Sequence, residues 1–137
     1  MALLHFAEAW FTLAWIDLVI RLLPYRYWRH WLQPAEPSPQ RGPSISLMPL
    51  VQAVDRAARH HLVPMNCLRR TLALQRMLVR RRIAATLHLG VRKGEGRLEA
   101  HAWLSCGGRV LNDTPDVRER YTELTGKGIR DTARRNF

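Results

Sequence analysis

The sequence predicts an α+β fold in which a cysteine at a helix start packs on a small antiparallel sheet, with an apolar helix ahead of both. Three observations predict it. Apolar residues recur at helical spacing as far as the basic run Arg80-Arg81-Arg82. Beyond Ile83 the period changes to alternation, and glycine-bearing turns at 94–96 and 106–108 cut that stretch into short strands. A content of 47% hydrophobic residues in 137 supplies one domain-sized core and excludes disorder throughout.

Residues 1–32 read as an apolar docking helix with an aromatic, basic collar. Glu8, Asp17 and Arg21 interrupt it, and each charge costs about 2.5–3.5 kcal/mol at mid-bilayer, so spanning a membrane is the least favoured reading. Asp17 and Arg21 are spaced to pair on one helical face. Leu4, Phe11, Trp15, Leu18 and Leu22 form a stripe that calls for a surface: the domain's own core, a protein partner or a membrane surface, in that order. Pro24 disturbs the helix, and Tyr25 to Trp31 form the collar.

Residues 33–45 are rich in proline and read as a linker. The core is expected over 46–116. Ser46 is placed to cap a helix from Pro49 to His61 that buries Leu50, Val51, Val54, Ala57 and Ala58, with His60 and His61 on its solvent side. Asn66 caps the next helix, which buries Leu68, Thr71, Leu72, Leu74, Gln75 and Leu78 and ends in arginines that suit its dipole. Ala85–Lys93 and Arg97–Ser105 predict two strands, and Arg109–Asp113 a third. Residues 117–137 read as a basic tail with one short helix over Val117–Leu124.

Cys67 falls in the first turn of its helix, where the dipole and free N–H groups favour a thiolate. A nucleophilic cysteine also needs a histidine and an acceptor that orients it. The hairpin supplies both. A three-residue Cys106-Gly107-Gly108 loop pairs Ser105 with Arg109 and sets His101 opposite Asp113 on one sheet face. A two-residue Gly107-Gly108 loop sets His101 opposite Thr114 instead. The reading taken is the three-residue loop, with Cys67, His101 and Asp113 as catalytic residues. Taken singly, each has a bland explanation, from a buried thiol to a turn carboxylate. A metal site from Cys67, Cys106, His101 and Asp113 is the rival, but no C-x-x-C or H-x-x-x-H spacing prearranges it, so no metal or cofactor is expected.

Charge is lopsided: 22 Lys+Arg against 11 Asp+Glu give a net +11, almost all of it arginine, since only Lys93 and Lys127 are lysines. This raises affinity for polyanions and motivates a non-enzymatic basic binding module as an alternative. No nucleic-acid-binding motif accompanies the charge, so no nucleic-acid partner is expected. The N-terminus lacks a secretory pattern, which points to the cytoplasm and reduced thiols.

The run CLRRTLALQRMLVRRRIAATLHLGVRK, followed by LEAHAWLSCGGRVLND, resembles the lasso-peptide leader peptidases, in the transglutaminase-like branch of the papain-like cysteine proteases. The likeness covers about residues 50–113. Its most telling pieces are Cys67-Leu68, Leu72-Ala73-Leu74-Gln75, Gly90-Val91-Arg92, His101-Ala102-Trp103 and Asn112-Asp113, and the helix ending in Leu22-Leu23-Pro24 fits as well. Thr71 stands where a serine is common, and Arg82 where a glycine is common. The resemblance implies a papain-like/transglutaminase-like core with Cys67 as nucleophile, His101 as general base and acid, and Asp113 as the orienting acid. It also implies a precursor leader peptide as substrate, with a threonine just before the last leader residue as a specificity element. Trp103, Trp10 and Trp15 are candidates for the wall that reads it. A separate winged-helix-like protein would hold the leader, and a cyclase would close the ring afterwards. A transglutaminase-like acyltransferase would use the same three residues.

Overall fold

The computed structural model describes residues 2–32 and 46–124. The linker expected at 33–45 and the tail beyond Leu124 lie outside the described residues. The elements run α1 (Ala2–Leu22), α2 (Tyr25–Trp28), a 3₁₀ turn (Arg29–Leu32), α3 (Met48–Arg59), α4 (Cys67–Arg80), β1 (Thr86–Lys93), β2 (Leu98–Cys106), β3 (Arg109–Val110), α5 (Val117–Arg120) and β4 (Thr122–Glu123). The four strands form one antiparallel sheet in the order β3-β2-β1-β4. The architecture is therefore α+β, as the two sequence periods predict.

Helix α4 begins where its chemistry says it should. The Asn66 side chain accepts the Arg69 N–H at 3.0 Å, which satisfies one of the first-turn donors. Leu68, Thr71, Leu72, Leu74 and Leu78 are buried as expected, together with Ala73 and Met77, while Gln75 is only half-buried. At its other end the Arg82 N–H bonds the Val79 carbonyl at 2.9 Å, and the Ile83 N–H bonds the Leu78 carbonyl at 2.9 Å. Those two bonds form a Schellman stop, which requires a left-handed residue. Arg82 fills that position at φ 58°. Helix α3 starts slightly earlier than expected. Ser46 Oγ accepts the Met48 N–H at 3.3 Å, but Leu47 occupies the cap position itself. Ala53 is buried in α3 and Val51 only partly so.

Helix α1 corrects the sequence reading on which side faces inward. The stripe Leu4, Phe11, Trp15, Leu18 and Leu22 faces solvent. The opposite side, Ala9, Leu13, Ile16 and Ile20, packs on α3 and α4 within the main core. The charges explain the choice. Asp17 Oδ1 accepts from Arg69 Nε of α4 at 2.7 Å, and its carboxylate also pairs with Arg21 at 2.9 Å. Glu8 accepts from Arg81 at 2.7 Å and Arg80 at 3.3 Å. Turning the other face inward would bury no carboxylate partner for those arginines. Helix α1 is thus part of the domain core and not an appendage to it.

Two further boundaries move. His61 is half-buried, with its ring stacked on Trp10 at 4.6 Å, so it is not a solvent-side helix end. The stretch after residue 116 is not all tail: Val117 is fully buried and β4 pairs with β1 through Gly90–Glu123 and Val91–Thr122.

Two outcomes follow from these contacts. Asp17→Ala strands the largely buried Arg69 guanidinium and is expected to lower unfolding stability by about 2–3 kcal/mol, read from urea midpoints. Arg82→Gly relieves the left-handed position and is expected to raise stability by about 1 kcal/mol, read the same way.

Candidate active site

Cys67 is the first helical residue of α4, half-buried at the edge of the core, and carries a free thiol. Like every first-turn N–H, its own has no acceptor within the helix. His101 lies on β2 and Asp113 in the bend after β3. The structure brings all three together. His101 Nε2 bonds Asp113 Oδ2. The Cys67 sulfur is near enough to the His101 ring to act on its pKa, and with Nε2 on Asp113, Nδ1 is the ring nitrogen not held by the carboxylate.

The way Asp113 arrives differs from the sequence reading. Gly107 (φ 58°) and Gly108 (φ 81°) are both left-handed, which makes a two-residue hairpin turn. The pairs are accordingly Cys106–Arg109 and Ser105–Val110, so the three-residue loop and the His101–Asp113 cross-strand pair are wrong. Continued in that register, the strand would carry Asp113 to the other face. Instead the ladder ends. Leu111 N–H bonds the Leu104 carbonyl at 2.9 Å, but the Leu104 N–H is taken at 2.8 Å by the side chain of Asn112. The chain bends there, and Asp113 reaches His101 from outside the sheet.

Asn112 is the residue whose role sequence reasoning missed. Its Nδ2 donates to Thr71 Oγ1 at 2.9 Å, and Thr71 Oγ1 donates to the Ala102 carbonyl at 3.1 Å. One hydroxyl on α4 therefore holds the neighbour of His101 and the neighbour of Asp113. The sequence signal was present in the Asn112-Asp113 pair, but nothing local showed what the amide would bond.

Asp113 is held on both oxygens. Oδ1 accepts the Thr114 N–H at 2.7 Å and Arg120 Nη2 at 2.7 Å. Burial alone would raise its pKa, yet His101, the Thr114 N–H and Arg120 together hold the carboxyl below the usual carboxylate value. His101 moves the other way. Its interaction with the Cys67 sulfur, helped by Asp113, outweighs burial and raises the imidazole above its usual value.

Tyr121 stacks on the His101 ring at 4.9 Å, and Trp103 lies beside it at 5.9 Å. Gly90, directly across from His101, makes room: a Cβ there would come within 2.9 Å of Trp103 and Tyr121. Glu123 fixes the strand end that carries Tyr121, because it bonds His88 Nδ1 while His88 Nε2 bonds Ser105 Oγ at 2.7 Å. Trp103 is fully buried, Trp10 is stacked under His61, and Trp15 sits on the solvent face of α1. Trp103 is therefore a support beneath the histidine and not a wall open to substrate. Cys106 stands five residues along β2 from His101 and gives its S–H to the Ala84 carbonyl at 3.3 Å. Burial pushes that thiol's pKa up, and its position removes it from any shared ligand set with Cys67.

Residues 3–126 match the family described as the transglutaminase-like superfamily. Among curated proteins, the microcin J25-processing protein McjB of Escherichia coli is 40% identical over 59 residues, which is 43% of this chain and 27% of that protein. The match thus spans little more than a quarter of that relative's length. No solved structure matches.

The opposed shifts fix the pH dependence of stability. With its pKa raised on folding, His101 contributes fully below the unfolded imidazole value, and that contribution is lost as pH rises through the folded one. Asp113, with its pKa lowered, contributes above the unfolded carboxyl value and loses that contribution as pH falls through the folded one. NMR titration is expected to place His101 above the same residue in urea. Asp113→Asn should lower it, and Asn112→Ala should lower it too while costing about 1–3 kcal/mol of stability. An unchanged His101 titration in both variants would contradict the arrangement.

Proposed function

The chain belongs to the transglutaminase-like superfamily, and from that premise we propose that it is a cysteine peptidase that removes the leader from a lasso-peptide precursor. The observation that carries this reading is the meeting of Cys67, His101 and Asp113, which come from a helix start, a strand and a bend.

The chemistry follows from their positions. His101 takes the thiol proton at Nδ1, and the Cys67 thiolate adds to the carbonyl carbon of the leader–core bond. The resulting oxyanion lies within reach of the Cys67 N–H at the positive end of α4. His101 returns its proton to the leaving amine, the C–N bond breaks, and the leader remains as a thioester on Cys67. His101 then deprotonates a water, which adds to the thioester carbonyl; the C–S bond breaks, the leader leaves as a free acid, and the imidazolium returns its proton to the Cys67 sulfur. Asp113 holds the ring in one orientation and stabilises its charged form throughout.

A cleft of about 330 Å³, lined by Val51, Val54, Arg70, Leu74, Leu111 and Asn112 among others and by none of the three catalytic candidates, is the place proposed for the flanking peptide. Arg70 and Leu74 stand one and two turns beyond Cys67 along one side of α4, and Asn112 adjoins Asp113. Substrate residues next to the scissile bond are proposed to lie there. The substrate class rests on the family likeness of about residues 50–113 and on the partial identity to a protein named for processing microcin J25. A separate winged-helix-like protein that holds the leader, and a cyclase that acts on the released core, complete the proposal.

Superfamily membership also favours a second reading, acyl transfer, in which an amine replaces water at the thioester. The mass of the product separates the two: leader acid means hydrolysis, and a leader–amine adduct means transfer. Cys67→Ala is expected to abolish precursor cleavage in the presence of a recognition protein, by at least about a thousandfold. Turnover retained in that variant would remove the mechanism. Val51→Trp, which fills the cleft, is expected to raise KM with little change in kcat.

A further inference from the structure

Helix α1 is apolar around nearly its whole circumference, yet the fold covers only one side of it. The uncovered side carries Leu4, Phe11, Trp15, Leu18 and Leu22, with Phe11 69%, Trp15 53%, Leu18 50% and Leu22 70% exposed. Separated by three, four or seven residues, they form one stripe about 27 Å long at about 1.5 Å per residue. Isolated exposed leucines are ordinary, but a continuous apolar stripe of this length marks a contact surface.

Charge identifies the contact. Among the described residues from 2 to 32, the two carboxylates are both taken up by arginines: Glu8, on the flank of the stripe, by Arg80 and Arg81, and Asp17 by Arg69 and Arg21. Beyond the end of the stripe, Arg26 and Arg29 are exposed and have no carboxylate partner among the described residues. Tyr27, half exposed beside Arg26, adds an aromatic ring at the same level. An apolar stripe that ends in arginines and an amphipathic aromatic, with no free acid on its side, matches a bilayer surface bearing anionic headgroups.

We infer that α1 lies flat on an anionic membrane surface, with its stripe at the headgroup–acyl boundary and Arg26 and Arg29 against phosphates. A spanning position is ruled out by the opposite side of α1, which is packed on α3 and α4 and ion-paired to arginines of α4. A second copy of this chain is the weaker occupant, because two molecules of net charge +11 would be brought face to face. The inference is independent of the proposed peptidase chemistry.

The test is sedimentation of the full-length chain with vesicles of phosphatidylcholine alone and of equimolar phosphatidylcholine and phosphatidylglycerol. Binding is expected to be about tenfold or more tighter to the anionic vesicles and to weaken with salt. Phe11→Ser/Leu18→Ser should lower it by about tenfold or more, since both side chains are already in solvent in the free protein. Arg26→Gln/Arg29→Gln should do the same by removing charge and serves as the check if the serine variant does not fold. No binding to anionic vesicles, or equal binding to both compositions, overturns the inference. So does a wild-type dimer in analytical ultracentrifugation that Phe11→Ser/Leu18→Ser dissociates, which would make a second copy the occupant.

Discussion

The hydroxyl of Thr71 ties together the three pieces of chain that meet at the site. It is wholly buried, donates to the Ala102 carbonyl and accepts from the Asn112 amide. Thr71 stands one turn along α4 from Cys67, Ala102 follows His101, and Asn112 precedes Asp113. Removing one member would leave buried polar groups without partners, which costs more than the bond itself contributes. The network therefore resists small relative movements of helix, strand and bend, and those movements are what would separate sulfur, imidazole and carboxylate. A serine at position 71 would supply the same hydroxyl, so the departure noted there in the sequence leaves the knot intact.

Around that knot, charges decide how the remaining elements sit. Asp17 reaches across to Arg69, on the first turn of α4, and Glu8 reaches Arg80 and Arg81 at its last turn. Helix α1 thus grips α4 near both ends. The same carboxylates that argue against a membrane span orient the helix, turning its larger apolar side chains outward. On the other side of the site, the His88–Glu123 bond fixes β4 to β1, and Tyr121 is carried onto His101 with it. The histidine is therefore clamped between a ring, a carboxylate and a thiol, while Gly90 leaves space for the ring above it.

Opposed pKa shifts are the electrostatic consequence of this clamp. A carboxyl held by a backbone N–H, an arginine and an imidazole favours its anion, and an imidazole between that anion and a sulfur favours its cation. In the proposed reaction, the same preference stabilises the imidazolium formed when Cys67 gives up its proton. In that proposal, groups that do not react themselves, Thr71 and Glu123, help set the geometry of the proton transfer.

By itself the sequence determined the features that depend on neighbours a few residues away. Asn66 capping α4, the place of Cys67 at that helix start, the change of period after Ile83 and the glycine turns were all legible because caps, turns and periodicity act over one or two turns of chain. Tertiary structure decided what depends on distant partners. The inward face of α1 could not be read from a helix apolar on both sides, since Arg69 and Arg81 lie more than fifty residues away from their carboxylates. The strand register failed for a related reason. A Cys-Gly-Gly turn admits two loop lengths, and both glycines taking φ above zero selected the shorter one. Asp113 still meets His101 where Asn112 ends the ladder by capturing the Leu104 N–H, and the same amide is held by Thr71, which needs α4 packed against the strand.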